Sequence, residues 1–190
     1  MRRLMPLVLA ALLVAGSPPR ASTETPGSRE TAIADFRMTP DARWQFFTDQ
    51  VMGGVSTGGV VFAQEDGKPY ARMTGRVSTA NRGGFIQKRR ELASPPPAGT
   101  TGVRLVVRGN DQRYFVHLRS SGTLLPWQYY QAGFEVTEGW TEIHLPFEAF
   151  APSGALLRRV PRAASLTSVA VVAYGRDHDA RIDVQSIGFY

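Results

Sequence analysis

The chain has 190 residues, enough for one domain with a buried core and too few for two comfortable ones. Hydrophobic residues make up 43% and charged residues 20%, which excludes general disorder; the absence of cysteine excludes disulfides, zinc–thiolate sites and thiol catalysis. The formal net charge of +6 falls to about +3 once Arg2, Arg3 and Arg20 are set aside, a surplus too small to call for nucleic acid.

In chain order, Arg2 and Arg3 precede an apolar run from Leu4 to Ala15, followed by the small residues Ala15, Gly16 and Ser17. Residues 1–21 therefore read as a signal peptide of the general secretory kind, too short to span a membrane comfortably. The expected location is outside the cytoplasm, in the periplasm; an uncleaved N-terminal membrane anchor is the alternative. Residues 22–34, rich in Ser, Thr, Pro and charge, read as a flexible lead-in, and 35–190 as one domain.

Strand patterns dominate that domain. Tyr70 to Thr74 alternates, Val103, Leu105 and Val107 oppose Arg104, Val106 and Arg108, and Tyr114, Val116 and Leu118 oppose Phe115, His117 and Arg119. Ala93 to Thr101, with three consecutive prolines, is a stiff crossover between strands. Trp140 to Leu145 alternates again, Val169 to Ala173 is continuously apolar as a central strand covered on both faces would be, and Arg181 to Gln185 closes the domain. Glycine pairs at 53–54, 58–59 and 83–84, with Gly109, Gly122 and Gly139, read as turns. Short helical turns are expected near Phe147 to Phe150 and Gly154 to Arg159 only. Many short strands between Gly-rich turns predict an all-β sandwich or jelly roll.

The run Asp49 to Ser56 (DQVMGGVS), then Met73 to Ser78 (MTGRVS) leading into Asn81 to Arg89 (NRGGFIQKR), is the most distinctive feature. Val106 to Asp111, Tyr129 to Phe134, Gly139 to Ile143, Leu145 to Phe147 and Ile182 to Ile187 follow in order. This ordered set resembles the complex I intermediate-associated protein family, whose mitochondrial member is an assembly factor for NADH:ubiquinone oxidoreductase. The resemblance covers Phe36 to Tyr190. It implies a galactose-binding-domain-like jelly-roll β-sandwich, no catalytic activity, and a role in protein assembly or unfolded-protein binding.

Four candidate sites stand out. Asp49, Met52, Gly53, Gly54 and Ser56 form either a binding loop or a hairpin turn whose glycines need positive φ and whose aspartate ties down amides; the turn is glycine's default use. Asn81, Arg82, Gly83 and Gly84, with Lys88, Arg89 and Arg90, either receive anions through guanidinium forks or form a solvated strand end. Arg108 and Asp111 mark a third loop. Trp127, Tyr129 and Tyr130 beside Gln128 and Gln131 carry the chemistry with which lectin-like sandwiches hold sugars, or else pack in core and rim. An exposed Trp127 favours the sugar.

Asp177-His178-Asp179 reads as a turn sooner than a metal site. No nucleophile motif, dinucleotide fingerprint or phosphate loop is present, so no cofactor, metal or catalytic residue is expected. The expected function is a non-enzymatic protein-binding module with a protein partner, outside the cytoplasm or at the membrane's outer face. A carbohydrate-binding module of the cell envelope is the alternative.

Overall fold

The computed structural model describes residues 31–35 and 44–190. The expected signal segment lies outside them. In chain order the strands are β1 (Thr31–Asp35), β2 (Trp44–Thr48), β3 (Thr57–Glu65), β4 (Lys68–Val77), β5 (Phe85–Glu91), β6 (Gly102–Gly109), β7 (Arg113–Ser120), β8 (Tyr130–Glu135), β9 (Thr141–Pro146), β10 (Ala151–Pro152), β11 (Leu166–Tyr174) and β12 (His178–Phe189). The last four residues of the expected lead-in, with Asp35, form β1, which pairs with β12.

Two antiparallel sheets result. The first runs β3-β4-β12-β6-β9 with β1 also on β12, and the second runs β10-β8-β7-β11-β5-β2. The strand alternation decides what lies between them. Ala71, Met73, Val103, Leu105, Val107, Ile182, Ile187 and Phe189 face inward from the first sheet, and Ile86, Tyr114, Val116, Leu118, Phe134, Val169 and Val171 from the second, all buried. The proline-rich segment carries the chain from β5 in the second sheet to β6 in the first, as a crossover should.

Three local expectations are corrected. Gly58 and Gly59 lie inside β3, where Gly58 stands opposite Gly75 of β4. A Cβ on Gly58 would come 3.0 Å from the Gly75 Cα and 3.3 Å from the Ile86 side chain, so this pair serves close backbone packing where a turn was expected. Gly154 to Arg159 is irregular with no helix, and the helical turn expected nearby occupies Phe147–Ala149. The buried side of β5 carries Lys88 and Arg90 as well as Ile86, so those cations are not a solvated strand end; the Lys88 ammonium lies 4.2 Å from the Phe62 ring centroid.

Candidate functional site

The outer face of the second sheet forms a groove of about 720 Å³. Its floor is β11, whose outward residues Ser168, Ala170 and Val172 are small and each about 1% exposed. The neighbouring strands carry longer side chains at the same level: in register, Ala170 sits between His117 of β7 and Arg89 of β5, and Val172 between Phe115 and Gln87. Small residues on the central strand flanked by large ones on both sides make the face concave. The apolar run Val169 to Ala173 is thus covered on one side by the opposite sheet and on the other by these taller neighbours.

One wall is aromatic. Tyr129 stacks on His117 at 4.1 Å with planes 7° apart, meets Tyr174 edge-on at 6.4 Å, and its hydroxyl lies 3.3 Å from that of Tyr174. With the Gln131 amide oxygen accepting at 2.8 Å, His117 Nε2 carries the proton. Burial pushes the imidazole down to about 4, against the opposing pull of Gln131, so His117 is neutral at physiological pH.

Trp127 stands above this wall and is 65% exposed. The loop bearing it, between β7 and β8, is held at several points. Arg119 Nη2 donates to the carbonyls of Thr123 and Leu125, both at 3.1 Å, and Gln128 Oε1 accepts from the Leu125 amide at 3.0 Å. Beyond β10, Ser153 Oγ accepts from the Tyr129 amide at 2.9 Å and donates to the Trp127 carbonyl at 3.1 Å. An exposed indole on a loop with that many fixed points is a presented side chain.

The opposite rim comes from the glycine motifs. Asp49 is fully buried, and its carboxylate accepts from the amides of Ser56 (2.9 Å), Gly84 (2.6 Å) and Phe85 (3.2 Å) and from Ser56 Oγ (2.5 Å). Burial works to raise its pKa, but the four donors outweigh it and hold the group below the usual carboxylate value. Cβ atoms on Gly54 or Gly83 would collide with this carboxylate, while Gly53 (φ 87°) closes the turn after Met52 in the left-handed region. Asp49 therefore joins the two motifs into one knot that presents Val51 and Met52, 70% and 62% exposed, and Arg82 to the groove.

Of the residues singled out in the sequence, Met52, Arg82, Gly83, Arg89, Trp127 and Tyr129 line the groove. Asp49, Gly53, Gly54, Ser56 and Gly84 build the knot beneath it, which is the turn reading of that motif. Asn81, at φ 54° in the short turn before Gly83, is exposed beside the groove and outside its lining. Tyr130 points the other way, 2% exposed in the sandwich interior, because adjacent positions at the start of a strand face opposite sides.

Arg108 belongs to the outer face of the first sheet. Its Nε donates to Asp183 at 2.9 Å and its Nη1 to Glu65 at 2.5 Å, while its guanidinium lies 4.6 Å from the Trp140 ring centroid. Asp111 is exposed in the β6–β7 turn at φ 54°. Neither reaches the groove. At the β11–β12 tip, Asp177 accepts from the amide and hydroxyl of Thr79, both at 2.7 Å, and no cluster of three metal-ligating side chains occurs among the described residues.

Sequence reasoning missed Phe47, Phe85, Gln87, His117, Arg119 and Tyr174 as lining residues. The signal was present in β5 and β7: Phe85, Gln87, Arg89 and His117, Arg119 are the outward series opposite the core series. Nothing in the pattern says that two such series bound one hollow.

The two facing antiparallel sheets form a jelly-roll β-sandwich of the galactose-binding-like fold. The family 11 carbohydrate-binding module from Clostridium thermocellum, solved with a β-1,3-1,4-mixed-linked tetrasaccharide, is similar over 84% of this chain and 94% of that one, with a TM-score of 0.67 at 11% identity. The family 30 carbohydrate-binding module of a cellulosomal cellulase from the same organism is similar over 71% and 89%, TM-score 0.52, 10% identity. An exo-β-agarase structure is similar over 84% of this chain but 25% of its own, TM-score 0.56, 7% identity. No curated protein sequence matches. Residues 34–177 match the model of complex I intermediate-associated protein 30 (CIA30), and the chain belongs to that family.

Proposed function

We propose that this chain is a non-enzymatic binding module whose ligand is an oligosaccharide lying in the groove of the second sheet. The observation that carries the reading is the exposed Trp127, held by a fixed loop above the stacked Tyr129–His117 wall. Sugar rings offer apolar C–H faces to aromatic planes and hydroxyls to amides, and Gln87 and Arg89 stand in the same hollow. The solved carbohydrate-binding modules of the same fold support it by analogy. Absence of turnover is part of the proposal: glycoside hydrolysis takes two carboxylates flanking the bond, and no Asp or Glu is among the described residues lining the groove.

Titration calorimetry with the mixed-linked tetrasaccharide and a panel of tetrasaccharides, neutral and acidic, tests it. Trp127→Ala should weaken binding about tenfold or more while leaving the unfolding midpoint nearly unchanged. Failure of the unaltered protein to bind any glycan would overturn the reading.

A protein partner is the second reading, favoured by membership of the CIA30 family and by the exposed Val51, Met52, Leu124 and Leu125 around the groove. It belongs to a module acting in assembly or on unfolded chains, and its mark would be crosslinked envelope proteins recovered with the unaltered protein and lost with Met52→Asp. Export is proposed from the apolar run Leu4 to Ala15. Mass spectrometry of the mature N-terminus from fractionated cells should find it beyond residue 16 in the periplasmic fraction.

A further inference from the structure

The charge of the groove is one-sided. Three cationic side chains line it: Arg82 on the turn before β5, Arg89 on β5 and Arg119 on β7; among the described lining residues there is no Asp or Glu. His117 contributes no charge, since it is buried against Tyr129. The two strand arginines stand on either side of β11, Arg89 level with Ala170 and Arg119 level with Ser168, so two interstrand spacings and a two-residue offset put their Cα positions about 12 Å apart. Arg82 extends the positive series toward the Met52 rim.

These groups differ in what already occupies them. Arg119 gives Nη2 to two loop carbonyls and acts on a ligand through its charge. Arg89 meets Glu91 through Nε at 3.3 Å, at a carboxylate 63% exposed, and its guanidinium lies 4.7 Å from the Phe47 ring centroid. An exposed pair of that kind contributes little and is readily exchanged for a ligand anion. Arg82 is exposed on its turn. A neutral glycan gains from these groups only the hydrogen bonds its hydroxyls accept. A chain with acidic groups on successive sugars gains at each of them.

Resting on the glycan reading above, we infer that the ligand of this groove is an acidic oligosaccharide, its carboxylate or sulfate groups paired with Arg82 and Arg89 in the field of Arg119 while its ring faces pack on Trp127 and Tyr129. Bidentate guanidinium–oxyanion pairs then set the choice among glycans, and the aromatic wall supplies contact common to all of them.

The decisive comparison is between tetragalacturonate and its methyl ester, which keeps the sugar and removes the charge. Calorimetry with the full chain uses tetragalacturonate, its fully methyl-esterified form, a heparin-derived tetrasaccharide, the neutral mixed-linked tetrasaccharide and a glutamate-rich peptide. Tetragalacturonate or the heparin fragment should bind at least about tenfold more tightly than the ester and the neutral sugar. Which of the two acidic probes binds more tightly separates carboxylate from sulfate. Raising NaCl from about 50 to about 300 mM should weaken the acidic ligand several-fold and the neutral ones scarcely.

Arg89→Gln should erase most of the preference. Because Arg89 also packs on Phe47, Arg82→Gln on the exposed turn provides the independent check and should reduce the preference several-fold at unchanged unfolding midpoint. Equal affinity for the ester and the acid overturns the inference and leaves the glycan reading standing. Binding of no glycan overturns both, and binding of the peptide alone assigns the groove to an acidic protein segment instead.

Discussion

Asp49 accepts four hydrogen bonds while excluded from solvent, and every donor lies in one of the two glycine motifs. Replacing it with Ala strands the Ser56 and Gly84 amides, and urea unfolding should show a loss of about 3 kcal/mol. Since its folded pKa is depressed, the contribution is complete above the ordinary carboxylate pKa and disappears as pH falls through the lower folded value. His117 acts in a higher window. Its pKa falls on folding from 6.5 to about 4, so between those values the unfolded chain binds the extra proton. Stability should therefore decline by about 3 kcal/mol as pH drops from 6.5 to 4, and His117→Phe should flatten that part of the profile. Denaturant midpoints taken from about pH 2 to 7 separate the two residues, His117 acting above pH 4 and Asp49 below it.

At the scale of strands, the β3–β4 contact rests on a pair of glycines, of which the sequence alone presents Gly58 as a turn former. Gly58 faces Gly75 in register, and the Ile86 side chain packs over both. A Cβ on Gly75 would come 2.8 Å from the Gly58 Cα and 2.8 Å from Ile86 Cδ1, whereas one on Gly59 meets nothing within 4 Å. Gly75→Ala should thus lower stability by about 1–3 kcal/mol and Gly59→Ala should not, as thermal unfolding will read directly. The β7–β8 loop makes the complementary point. Its Trp127 is placed by Ser153, 26 residues along the chain and just past β10. Ser153→Ala should weaken glycan binding several-fold with little change in melting temperature, because it frees the loop without opening the core.

Across the whole molecule the two outer faces have been put to different uses. On the first sheet Asp183, 2% exposed, holds Arg72 through two hydrogen bonds of 2.7 and 2.8 Å and Arg108 through a third, tying β4, β6 and β12 together beneath Tyr70 and Trp140. Asp183→Ala leaves two partly buried guanidinium groups without their shared carboxylate, and chemical denaturation should register a loss of about 3 kcal/mol with no effect on the groove. The sequence by itself determined the fold class, most of the strands, the inward series of each and the crossover after β5, because alternation and turn chemistry are local properties. The ordered glycine motifs also carried the family. It singled out Trp127, Tyr129, Arg82 and Met52 without showing that they meet. Only the tertiary structure decided that small residues on β11 between taller neighbours make a hollow, that Arg89, Arg119 and His117 line it while Tyr130 and Arg108 do not, and that Asp49 serves the turn. Those outcomes depend on which strand lies beside which, a long-range pairing that no window of sequence contains.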